Sequence, residues 1–197
     1  MKKIAVVFHS GYGHTTNVAR AVITGIDSVD DSASVLVEID ADGELSDEQW
    51  TELDSADAIV FGSPTYMGMA SWQFKKFADT SSKRWFSQEW KNKLAAGFTN
   101  SATMNGDKHS TLHYFMTLAM QHSMIWVGSG LMPSNSKAST RDDINYVGSF
   151  SGLMTTSPSD ASVEEAPPKG DIETAKLFGQ RVAEVARDLM KQKMASC

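Results

Sequence analysis

The stretch Lys2-Lys3-Ile4-Ala5-Val6-Val7-Phe8-His9-Ser10-Gly11-Tyr12-Gly13-His14-Thr15-Thr16-Asn17-Val18-Ala19 decides the fold, because it runs from a buried strand through a glycine-broken turn into a helix without interruption. Ile4 to Phe8 is a continuous apolar run, the pattern of a parallel strand covered on both faces. From Asn17 the apolar spacing turns helical, with Val18, Ala21, Val22, Gly25 and Ile26 on one stripe. Such a turn aims unpaired backbone N–H groups, and the positive end of the helix dipole, at whatever lies beyond the strand. An anionic phosphate suits that position.

The residue types in the turn narrow the ligand. A nucleoside-triphosphate loop ends in Gly-Lys-Ser/Thr, and no lysine lies between Lys3 and Lys75. A dinucleotide fingerprint has a third glycine where this chain has Thr16, and Asp40 is its one weak candidate for a ribose-binding acid. A phosphatase loop needs a nucleophilic cysteine, whereas the single cysteine is Cys197 at the far end of the sequence. What remains is a set of Ser10, Thr15 and Thr16 hydroxyls with Asn17 nearby, neutral donors suited to a monophosphate that is never transferred, such as that of flavin mononucleotide (FMN). The alternative is an ordinary strand-to-helix connection whose Ser and Thr only cap the helix.

The 197 residues suffice for one domain with a large core, and no Pro/Gly/Ser linker divides them, so a single domain over 1–197 is expected. The balance of 18 basic against 24 acidic residues gives a net charge of −6 with no basic block, which argues against a nucleic-acid partner. No apolar stretch is long enough to cross a bilayer and no signal-type region precedes the first strand, so a cytoplasmic protein without membrane insertion is expected. A lone cysteine allows no internal disulfide.

Further along, Ser34 to Ile39 reads as a second strand and Ser46 to Leu53 as a short helix capped by Ser46. Ala58 to Gly62 is a third strand that runs into the loop Ser63-Pro64-Thr65-Tyr66-Met67-Gly68-Met69, followed by a helix from about Ser71 to Asp79. Lys93 to Phe98 is a fourth strand, ending in the polar loop Thr99 to Gly106; a helix from about Ser110 to His122 and a strand Met124 to Val127 follow. Leu131 to about Gly170 reads as a long Ser-, Gly-, Pro- and Asp-rich excursion, and a last amphipathic helix, capped by Asp171, runs to about Lys191. Alternating strands and helices predict an open parallel sheet covered on both faces, with its ligand beyond the carboxyl ends of the strands where the three suspicious loops meet.

With these loops in view, the chain resembles the flavodoxin-like superfamily, most closely the tryptophan-repressor-binding-protein branch of NAD(P)H:quinone oxidoreductases. The resemblance covers nearly the whole length and rests most specifically on Ser10-Gly11-Tyr12-Gly13-His14-Thr15 and on Gly62-Ser63-Pro64-Thr65-Tyr66-Met67-Gly68, less specifically on the loop after Phe98 and on Gln121-His122-Ser123-Met124. It implies an α/β doubly wound sheet of five parallel strands in the order 2-1-3-4-5. It also implies that Ser10 to Thr15 hold the FMN phosphate, that Pro64, Thr65, Tyr66 and Met67 together with Asn100, Ser101, Ala102, Thr103, Met104 and Asn105 enclose the flavin ring, and that Trp85 and His122 flank the face where nicotinamide or quinone stacks. A homo-oligomer, dimer or tetramer, is implied as well. Ala102, Met104 and Asn105 stand where the family tends to glycine, the family's frequent insertion after the second strand is missing, and Gly148 to Pro168 matches poorly.

The residue chemistry assigns roles within that frame. A reduced flavin carries negative charge near N1 and O2, and the backbone amides of Asn100 to Asn105 are the candidate donors. Tyr66 borders the flavin or is a surface aromatic, and Tyr12 faces a nicotinamide or covers the helix start. His122 is the candidate catalytic group, since histidine titrates near working pH, with a helix-capping histidine as the alternative. Trp85 walls the substrate slot, or Trp85, Phe86 and Trp90 form a core or interface cluster. His9, His109 and His113 have no metal-ligand spacing. The expected activity is hydride transfer from NAD(P)H through FMN to a quinone or similar acceptor; a flavodoxin-type electron carrier and a flavin-binding regulatory module are the alternatives.

Overall fold

The computed structural model describes residues 1–195, with side chains described through residue 189; Cys197 lies outside the described residues. Strand β1 (Lys2–Phe8) lies inside the sheet, paired in parallel with β2 (Ser32–Glu38) on one side and β3 (Ala58–Tyr66) on the other. Beyond β3, and parallel to it, lies β5 (Leu94–Ser101), while the two-residue β4 (Met69–Ala70) turns back antiparallel on the end of β3. The fifth position is shared: β6 (Ile125–Trp126) pairs with the start of β5, and β7 (Leu153–Thr156) pairs with its end at Phe98 to Ser101. The main path β2-β1-β3-β5-β6 is the 2-1-3-4-5 order expected from the resemblance, in a sheet that totals seven strands.

The alternation of β1 side chains explains the two layers. Ile4, Val6 and Phe8 pack towards α1 (His14–Asp27) and α6 (Lys169–Ala195), whereas Ala5 and Val7 face the opposite cluster. That second cluster draws on α2 (Asp47–Ser55), α3 (Trp72–Thr80) and α5 (Lys108–Gln121), with Trp50, Phe74, Phe77, Trp90 and Phe115 as its large members. The short α4 (Ser82–Ser87) lies outside it and leaves Trp85 and Phe86 exposed, while Trp90 is fully buried and stacked on Trp50. The aromatic trio of the sequence is thus split between surface and core.

Several element ends differ from the sequence reading. Helix α1 starts at His14, three positions before Asn17, because Gly13 takes a left-handed conformation (φ 90°) and turns the chain directly into the helix. The stretch Ser63 to Tyr66, expected as loop, continues β3, and residues Thr99 to Ser101 continue β5; their register partners, Ser63 with Thr99 and Pro64 with Asn100, supply the ladder that polar composition concealed. The 131–170 excursion is anchored by β7, which that composition also hid. Ser46 caps α2 as expected, in a reciprocal pair with Gln49. Asp171 does not cap α6: the helix begins at Lys169, Pro168 O already accepts the N–H groups of Asp171 and Ile172, and the Asp171 carboxylate turns instead to Thr156 and Arg141.

Helices α1 and α6 cross at backbone contact. A Cβ on Gly25 would lie 1.8 Å from Lys176 O, and one on Gly179 would lie 2.1 Å from Val22 O. Gly179→Val is therefore expected to lower stability by about 1–3 kcal/mol through overpacking, read as a lower urea midpoint with an unchanged m-value.

Candidate functional site

The carboxyl ends of β1, β3 and β5 open onto one cavity of about 610 Å³. Tyr12, His14 and Thr15 line it from the first loop, Pro64, Thr65 and Tyr66 from the end of β3, and Asn100, Ser101 and Ala102 from the end of β5. A fourth wall, Ser157 to Val163, comes from the excursion. Three predicted loops therefore converge, and the fourth segment belongs to the 131–170 excursion, whose length marks it as functional or interfacial but whose composition does not say which of its residues reach the site.

The first loop divides its hydroxyls between structure and site. Ser10 Oγ accepts from the N–H groups of Gly13 (3.1 Å) and Thr16 (3.3 Å), so Ser10 does cap the turn, as the structural alternative held. The N–H groups of Tyr12, His14 and Thr15 have no protein acceptor among the described residues, and Thr15, only 2% exposed, presents its hydroxyl to the cavity without a protein partner. Unpaired amides at a helix start beside a buried hydroxyl form a neutral anion cradle. The fourth wall closes over it: His14 Nε2–H donates to Ala161 O (3.1 Å) and Ser162 O (3.3 Å), Asn17 Nδ2 donates to Val163 O (2.6 Å), and Val163 packs on Gly13 where a Cβ would meet it at 2.7 Å. The Tyr66 hydroxyl lies against Gly11, 2.5 Å from where a Cβ would stand there, and the Tyr12 and Tyr66 rings meet edge to face at 6.1 Å across the mouth.

Beneath the ring-sized part of the cavity the polar side chains are locked. Thr65 Oγ1 bonds Thr99 Oγ1 and Thr111 Oγ1, both at 2.8 Å, tying β3, β5 and α5 together. Asn100 Oδ1 accepts from the hydroxyls of Thr155 (2.9 Å) and Ser157 (3.1 Å), which fixes the amide orientation and leaves its Nδ2 as the free donor. Burial raises the Tyr66 phenol pKa, an effect strengthened by Tyr12 and opposed by Gly11 N–H, so this hydroxyl stays protonated at neutral pH. Such a constellation can hold a planar, hydrogen-bonding ring with a phosphate tail; the residues present fit FMN.

Other predicted residues lie elsewhere. Met67 is fully exposed at the β3–β4 turn, and Met104 and Asn105 border a separate shallow depression with His109. His122 follows α5 near the opposite end of the sheet, where Ser123 O accepts Asn92 N–H beside the start of β5. It is 2% exposed, bonds Ser81 Oγ at 2.9 Å and packs against Trp90 at 4.4 Å, so it does not reach the cavity of its own chain. Trp85 is on α4, also outside that cavity. An apolar groove of about 880 Å³ adjoins the site, sharing Tyr66 and lined by Met67, Met69, Trp72 and Tyr114. Its charges pair locally, Lys75 with Asp79 and Lys76 with Glu44, leaving no cradle for an anion.

Among known proteins, the family described as NADPH-dependent FMN reductase matches residues 43–138. Flavodoxin FldP of Pseudomonas aeruginosa is 49% identical over 189 residues, covering 96% of this chain and 99% of that protein. An NAD(P)H dehydrogenase (quinone) of Syntrophobacter fumaroxidans is 31% identical over 207 residues, covering 96% of this chain and 99% of its own. The crystal structure of a flavodoxin, WrbA-like protein from Agrobacterium tumefaciens superimposes with a TM-score of 0.75 at 46% identity, over 95% of this chain and 99% of that one.

Two outcomes follow from this geometry. Ser10→Ala removes the acceptor of two helix-start amides and is expected to cost about 1 kcal/mol of stability, measured by urea unfolding. Burial pushes the His122 pKa down to about 4 from its ordinary 6.5. The unfolded chain therefore binds this proton at a higher pH than the folded one, so the contribution of neutral His122 is complete above pH about 6.5 and is lost as pH falls towards about 4. His122→Asn is expected to flatten the stability profile within that window; parallel wild-type and variant profiles would show that His122 does not carry it.

Proposed function

The chain belongs to the flavodoxin-like superfamily, in the WrbA-type branch of its FMN oxidoreductases, and from this we propose that it transfers hydride from NAD(P)H to a quinone or similar two-electron acceptor, alternating the two substrates at one site. The observation that carries the reading is the convergence of unpaired neutral donors, at the Tyr12 to Thr15 turn and at Asn100, on one cavity at the strand ends. FMN, when bound, supplies a ring that accepts a hydride and gives up its two electrons to the acceptor.

The protein's part is binding and orientation. The amides of Tyr12, His14 and Thr15 and the Thr15 hydroxyl hold the phosphate, with neutral groups that bind it without transferring it. Pro64, Thr65 and Tyr66 border the ring on one side; Asn100, Ser101 and Ala102 supply donors on the other, while Thr103 lies outside the cavity lining with its carbonyl taken by Lys108 and Ser101. The Ser157 to Val163 segment shields the phosphate from water, and Ser10, Gly11 and Gly13 set the turn. Tyr12 and Tyr66 at the mouth offer aromatic surfaces to the nicotinamide or quinone. His122 and Trp85 lie outside this set in one chain, so a part for either in the reaction requires a second copy; the exposed Trp72, Trp85 and Phe86 favour a homo-oligomer.

A second reading, a one-electron carrier, is favoured by the 49%-identical relative being named a flavodoxin. Anaerobic mixing of the FMN-loaded protein with NADH or NADPH separates the two: rapid bleaching of the oxidised flavin supports the enzyme, and an unchanged spectrum supports the carrier. Thr15→Val is expected to weaken FMN binding by about 1–3 kcal/mol through loss of one phosphate hydrogen bond, read by quenching of flavin fluorescence on titration.

A further inference from the structure

Lys108, the first residue of α5, is a fully buried lysine directly behind the cavity wall. Its Nζ donates to Ser101 Oγ (2.7 Å), Thr103 O (2.5 Å) and Thr156 Oγ1 (3.4 Å), tying the loop after β5 to β7. Ser101 lines the cavity, and its hydroxyl passes a further bond to Thr103 O at 3.1 Å. Behind Lys108, the buried Asp171 accepts from Thr156 N–H (2.7 Å) and from Arg141 (2.8 Å), so one carboxylate is set against two cations and the cluster carries net positive charge.

This arrangement costs stability twice. A buried ammonium loses its hydration, and a cation at the start of a helix sits at the positive end of its dipole. Desolvation lowers the Lys108 pKa to about 8, with Asp171 opposing and Arg141 adding to the fall, and the group still keeps most of its charge at neutral pH. An apolar side chain would fill the same space without either cost.

We propose that Lys108 is a positioning residue that fixes the Ser101 to Thr103 loop and projects positive charge through it into the cavity, favouring reduced, anionic FMN over oxidised FMN. The inference rests on the FMN reading above. Hydride from the reduced nicotinamide brings two electrons and one proton to the ring and leaves the nicotinamide oxidised, so the ring gains one negative charge. A cation behind the loop stabilises that product selectively.

The test is Lys108→Met, which keeps the length of the side chain and removes its charge, followed by FMN titration and a dye-equilibrated reductive titration. Affinity for oxidised FMN is expected to change by less than about threefold, while affinity for the reduced form falls at least about tenfold, a drop of about 30 mV in the two-electron midpoint potential. Asp171→Asn, which keeps Lys108 and removes its offsetting anion, is expected to move the potential upward. An unchanged potential in Lys108→Met, equal weakening of both FMN forms, or a downward shift in Asp171→Asn overturns the inference alone. A wild-type protein that takes up no FMN overturns the functional reading and this inference with it.

Discussion

A parallel sheet buried on both faces leaves little room for polar chemistry within its layers, and this constraint organises the whole molecule. Ile4, Val6 and Phe8 are sealed by α1 and α6, Ala5 and Val7 by the aromatic cluster opposite, so unpaired backbone amides and hydroxyls concentrate where strands end. Three adjacent strands, β1, β3 and β5, run in the same direction. Their carboxyl ends therefore face one way, and loops distant in sequence become neighbours. The close backbone crossing at Gly25 and Gly179 serves the same end by holding α1, and with it the amides of its first turn, against α6.

Below the cavity, the polar side chains at the ends of β3 and β5 are paired, while His9, just past β1, keeps a buried ring nitrogen without a partner among the described residues. The Thr65, Thr99 and Thr111 hydroxyls close on one another, and Asn100 is gripped by Thr155 and Ser157. A buried network of this kind is costly if half-paired and rigid when complete. Here it sets the orientation of the Asn100 amide, whose Nδ2 keeps its donors for the cavity. Lys108 and Asp171 extend the network with charge, coupling the loop after β5 to the excursion through Thr156.

The division of the fifth sheet position between β6 and β7 explains how the excursion serves the site. With β6 pairing only Leu94 and Ala95, the end of β5 remains open for β7, and the chain leaving β7 emerges beside the cavity mouth. Residues Ser157 to Val163 then lie across the first loop, held by His14 and Asn17. Local composition, rich in Ser, Pro and Asp, pointed to an excursion but not to which of its residues would wall the site.

The sequence by itself determined the layered architecture, the strand order implied by its resemblance, the Ser46 cap and the converging loops, because apolar periodicity and glycine punctuation are local signals. It did not determine where polar residues continue strands, as at Ser63 to Tyr66 and Thr99 to Ser101, since their partners are supplied by register across the sheet. Nor did it determine that Ser10 spends its hydroxyl on the turn while Thr15 keeps its own for the cavity, that Asp171 serves Thr156 and Arg141 rather than its helix, or that His122 lies at the far end of the sheet between Ser81 and Trp90. Each of those outcomes depends on which distant groups meet, and only the tertiary structure brings them into contact.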